Sequence, residues 1–72
     1  MTYKEIKEWI AKEYAKGGND LIEWSEIENK VNERTMYYIK VVISIYNAID
    51  IFKVNKEFEL AYAEKLLIET LN

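Results

Sequence analysis

At 72 residues the chain reads as one domain near the lower limit for a self-sufficient core. It holds no cysteine and no histidine, which excludes disulfides and the usual zinc sites. Its composition is 50% hydrophobic and 14% aromatic, with six Tyr and two Trp, at a net charge of −3, so it carries enough apolar material to order itself. The missing His and Cys also remove the commonest general base and thiol nucleophile. Gly17 and Gly18 are the only glycines, so no Gly-rich phosphate loop exists either. Neither an enzyme nor a cofactor nor a small-molecule ligand is therefore expected. No apolar run approaches the ~20 residues of a membrane span, and the N-terminal MTYKEIKEW lacks a signal-peptide core. A cytoplasmic protein without a membrane partner is the expectation.

The first predicted element is a helix from about Tyr3 to Lys16. Thr2 and Glu5 have the spacing of a capping box, in which each side chain satisfies a free amide of the first turn. Ile6, Trp9, Ile10 and Tyr14 recur at three- and four-residue steps and form one apolar stripe, with Lys4, Lys7, Glu8, Lys12 and Glu13 on the remaining surface. Gly17-Gly18 closes the helix. A short extended piece is expected from Asp20 to Trp24. Ser25 and Glu28 have the spacing of a second capping box, so a short second helix should start at Ser25, carry Ile27 and Val31 inward, and stop near Asn32.

The segment NERT reads as a turn, after which a third helix runs to about Ile49 with Met36, Ile39, Val42 or Ile43, and Tyr46 on one face. Beyond it the period changes. Ile51-Phe52-Lys53-Val54 is β-branched and aromatic, which favours a strand, and Asn55-Lys56 suits a tight turn. Phe58, Leu60 and Tyr62 alternate with Glu57, Glu59 and Ala61, the pattern of a half-buried strand. From Ala63 onward strong helix formers return. Residues 56–71 also read as one continuous helix; the alternation favours the hairpin.

The order helix, short strand, capped helix, turn, longer helix, hairpin, helix resembles the winged helix-turn-helix family of DNA-binding domains. LIEWSEIENKV is similar to the family's lead-in strand and positioning helix, and NERTMYYIKVVISIYNAIDIFKV to its turn, recognition helix and first wing strand. EFELAYAEKLLIETL is similar to the second wing strand and terminal helix. Two departures are visible: Asp50 stands where many members have glycine, and VNKEFE leaves only a minimal wing. The resemblance implies a mainly α fold with a small β-hairpin, in which a three-helix core carries a minimal wing and a C-terminal helix. It further implies a DNA-binding regulator that places its third helix in the major groove.

On that reading Arg34, Thr35, Tyr37, Tyr38 and Lys40 face double-stranded DNA, and Lys30, Lys53 and Lys56 contact its backbone. Arg34 and Lys40 read equally as solvated surface charges, Thr35 more readily as a helix cap, and one of the two tyrosines as core. Trp9 and Trp24 read as core and rim aromatics. Residues 25–56 carry a net charge of +1, residues 1–24 of −1 and residues 57–72 of −3, so the reading half is the least acidic part. Phosphate neutralisation by so few cations is weak, which makes a homodimer the expected form. Leu66, Leu67, Ile68 and Leu71 exceed what one inward helix face needs and are the expected dimer interface. Val41, Ile45 and Ala48 form a second stripe on the third helix, open to a dimer or to burial all round. A protein-interaction module without DNA binding is the rival function.

Overall fold

The computed structural model describes residues 1–71, the side chain of Asn19 excepted. The first helix, α1, spans Tyr3–Tyr14. Its capping box forms as the spacing predicts: the Glu5 amide donates to the Thr2 hydroxyl at 3.2 Å and the Thr2 amide to the Glu5 carboxylate at 3.0 Å. Past its end the chain turns through Gly17 and Gly18, both at positive φ (137° and 92°). A side chain on Gly17 would also press against Leu21, since a Cβ there would lie 2.8 Å from its Cδ1.

Between Asn19 and Asn32 the backbone makes 3₁₀ turns at Asn19–Leu21 and Trp24–Glu26, in place of the expected strand and second helix. Ser25 lies inside the second turn instead of capping an α-helix. The apolar reading of this stretch holds nonetheless. Ile22 and Ile27 are buried, and Val31 packs partly buried against them and their neighbours.

The second α-helix, α2, spans Glu33–Phe52. Asn32 caps it, its side-chain oxygen accepting from the Thr35 amide at 2.8 Å. The segment NERT is thus a cap and first helical turn. The helix runs three residues past the expected end and consumes Ile51 and Phe52, which were expected in a strand. Asp50 needs no left-handed turn, because the reversal falls at Lys53 (φ 54°, ψ 38°), whose amide closes the helix onto the Ile49 carbonyl at 2.9 Å.

The third helix, α3, spans Glu57–Glu69 as one continuous element. Asn55 prepares its start by accepting from the Glu57 amide at 3.0 Å. Along it Leu60, Ala63, Leu67 and Leu71 turn inward at three- and four-residue steps, while Phe58 and Tyr62 face solvent. The alternation over 57–62 therefore arose from two opposite faces of a helix. No strand occurs among the described residues. The expected hairpin, and with it the winged helix-turn-helix architecture, is corrected to a small all-α fold of three helices.

All three helices and the connecting turns share one core of Ile6, Ile10, Ile22, Ile27, Ile39, Val42, Ile43, Ala63 and Leu67. α2 and α3 pack antiparallel, as the start of one meets the end of the other through Thr35 and Thr70. Among the described residues no helix is long and apolar enough to cross a membrane.

Candidate interaction surface

α2 is apolar nearly all round. One side carries Ile39, Val42 and Ile43 into the core. On the opposite side Tyr37, Val41, Ser44, Ala48 and Phe52 recur at three- and four-residue steps, and no charged residue occurs from Val41 to Ile49. With the N-terminal end of α3 this outer face bounds an open groove of about 610 Å³. Tyr37, Lys40, Val41, Ser44, Ile45 and Ala48 line it from α2, and Lys56 and Glu59 from the far wall. Tyr37 is 63% exposed, Ile51 61% and Phe52 70%. Phe58, almost wholly exposed, follows where the chain turns back into α3. So much aromatic surface left in water makes this face the candidate contact site.

The expected DNA-facing residues divide between several environments. Lys30 and Arg34 are exposed near the start of α2, and Lys40 is exposed with its ammonium 5.4 Å from the centre of the Trp24 ring. Tyr37 and Tyr38 stack edge to face with centroids 5.2 Å apart; Tyr38 packs against the core and Tyr37 stays in solvent, the split expected of helix neighbours. Thr35 is buried and donates to the Thr70 hydroxyl, so it offers nothing to solvent. Lys53 closes α2 about 28 Å along the axis from Arg34, at 1.5 Å per residue. Lys56 stands at the start of α3, on no wing, and joins Tyr37 and Lys40 in the groove.

The four residues expected at a dimer interface also part company. Leu67 is fully buried in the core and Leu71 packs partly against it, while Leu66 is half-buried and Ile68 is 40% exposed. Of the second stripe, Val41 and Ile45 pack partly against the core and still line the groove with Ala48.

Polar contacts missed by the sequence reading hold the framework behind this face. Glu13, expected on the surface, is wholly buried. Its Oε1 accepts from the Glu23 amide at 3.1 Å and its Oε2 lies 2.8 Å from the Lys16 ammonium, which also approaches Glu23 at 3.9 Å and Glu26 at 3.8 Å. The Lys16 bond, with the Glu23 amide, holds the Glu13 carboxyl below the usual carboxylate range against the opposing effect of burial. Glu13 in turn raises Lys16. The available signal was spacing, since residue 13 lies seven past Ile6 and three past Ile10 on the same stripe.

Tyr14 donates to Asp50 at 2.7 Å, joining α1 to the end of α2. Burial, then this bond, pushes its phenol up to about 12. Tyr3 donates to Glu64, which Lys7 approaches at 3.8 Å; burial and then Glu64 raise the Tyr3 phenol. Trp9 and Trp24 meet with centroids 6.1 Å apart, both partly buried against the core. Among the described residues no group of three or more carboxylates is placed to hold a metal ion. Compared with known proteins, the chain matches no family model, no curated protein and no solved structure.

Proposed function

We propose that this chain is a cytoplasmic, non-catalytic protein-interaction module that binds an apolar helical partner along the outer face of α2. The observation that carries this reading is the uncharged run from Val41 to Ile49, whose outward residues Val41, Ser44, Ile45 and Ala48 line the groove beside Tyr37. Surfaces that meet DNA are strongly cationic, whereas the centre of a protein interface is depleted of charge and rich in aromatics.

A photo-crosslinking side chain at Ser44 tests the reading in a lysate of the source cells. It should give a discrete protein adduct that survives nuclease treatment, and the same group at exposed Lys12 should give none. No adduct at Ser44 beyond that at Lys12 would remove the reading.

Binding of double-stranded DNA is the second reading, favoured by one observation. Lys30, Arg34, Lys40, Lys53 and Lys56 have no carboxylate partner within ion-pair distance among the described residues. If they neutralise phosphates, random duplex DNA at low salt is retarded in a gel, and Arg34→Ala reduces the salt slope by about one. An unshifted duplex at high micromolar protein rejects it.

A further inference from the structure

Resting on the interaction reading above, we infer that the occupant of the α2 groove is a second copy of this chain, crossing antiparallel about a two-fold axis beside Ser44. The distribution of side-chain size along the outer face is the first reason. Large, exposed Tyr37 and Phe52 stand at its ends, and the smaller Val41, Ser44 and Ala48 lie between. An antiparallel copy centred between Ser44 and Ile45 sets each Tyr37 over the other copy's Phe52 and each Val41 over the other's Ala48. Bulk then meets bulk at the ends, and the helices approach closely in the middle. A two-fold interface must be self-complementary in this way.

Charge points to the same face. Two chains of net charge −3 repel one another, and their excess carboxylates lie in residues 1–24 and 57–72. The segment 25–56 has a net charge of +1, and the centre of its outer helix face has no charge at all, so two copies meet there with least repulsion. At the rim, Lys40, Lys56 and Glu59 add charges of both signs.

Size is adequate as well. The exposed parts of Tyr37, Ile51 and Phe52 amount to roughly 350 Å², taking aromatic side chains at about 200 Å² each. The groove-lining residues between them bring the face to on the order of 500 Å² per copy. For both partners that is about 1,000 Å², the size of a weak, transient interface.

Sedimentation equilibrium of the intact chain at low to high micromolar concentration reads this directly. A monomer–dimer equilibrium is expected, and Ala48→Glu should shift it to monomer without loss of helical signal. Because the chain has no cysteine, single cysteines report the register. Val41→Cys mixed with Ala48→Cys should oxidise to the mixed disulfide in preference to either self-pair. A monomer at every concentration overturns the inference, as does preferential self-pairing of Val41→Cys and Ala48→Cys. The Ser44 adduct separates the two levels: twice the chain mass supports the second copy, and another protein's mass overturns it while leaving the interaction reading intact. No adduct overturns both.

Discussion

The hydroxyl of Thr35 donates a 2.8 Å hydrogen bond to the hydroxyl of Thr70, which donates in turn to the Leu67 carbonyl at 2.7 Å. This chain of bonds ties the first turn of α2 to the end of α3, and it turns Thr35 away from the face that Tyr37 opens to solvent. Thr35→Val removes one buried bond but leaves the Thr70 proton with its carbonyl acceptor. The expected cost is about 1 kcal/mol in urea unfolding, with self-association unchanged. A weakened dimer at unchanged stability would place Thr35 on the contact face instead.

Acid should loosen the turn after α1. The Glu13 carboxyl is held below its ordinary 4.5 by Lys16 and the Glu23 amide, and Glu5 is lowered by the Thr2 cap. A carboxylate that binds its proton less tightly when folded stabilises fully above 4.5 and loses that contribution as pH falls through its lowered value. Thermal melts should show a falling midpoint there. Glu13→Gln should be less stable than the parent at neutral pH and flatter through the acid range. An equally steep acid limb in the variant would assign the effect to other carboxylates.

Base should act where α1 meets the end of α2. The Tyr14 phenol is raised from 10.0 to about 12 by burial and by its bond to Asp50. A group with a raised folded value gives its full stabilisation below 10.0 and loses it as pH rises toward 12. Tyr3, Tyr46 and Lys16 are shifted upward too. The melting midpoint should fall across that range, and less so in Tyr14→Phe. Tyrosinate absorbance of the folded chain should also lag that of the unfolded chain. Coincident titration curves would contradict the Tyr14–Asp50 bond.

Lys53 holds a left-handed conformation (φ 54°) at the end of α2, which costs a side-chain-bearing residue roughly 1 kcal/mol relative to glycine. Lys53→Gly should raise stability by about that amount in urea unfolding. A loss would mean that the lysine side chain makes a stabilising contact worth more than the backbone strain.

Two helix starts and the inward faces of α1 and α2 were legible in the sequence, whereas the winged-helix topology read from it was wrong, for definite reasons. Thr2 and Glu5 marked the start of α1 because a capping box is local chemistry that needs no tertiary partner. Ser25 and Glu28 share the same spacing, yet the segment between the buried Ile22 and Ile27 forms a 3₁₀ turn, and core packing prevails over a local cap. Phe58, Leu60 and Tyr62 mimicked a strand because two of the three face water on α3, whose inward stripe passes through Leu60, Ala63 and Leu67. Asp50 looked like the site of a turn, although its carboxylate is occupied by Tyr14 from a helix 36 positions away in sequence. No local pattern encodes such a partner. For the surface, the stripe of Val41, Ile45 and Ala48 was readable from period alone. Which terminal leucines were already consumed by the core was not, because that depends on how α3 packs on α2.

The most direct test of the central claim, that the outer face of α2 is a contact surface, is a dilution series followed by backbone and methyl resonances. Signals of Tyr37, Val41, Ser44, Ile45 and Ala48 should move together as the chain is diluted from high to low micromolar concentration, while Ile6, Ile10 and Thr35 stay fixed. Movement confined to Leu66, Ile68 and Leu71, or no movement in a chain that takes up no other partner at this face, would contradict it.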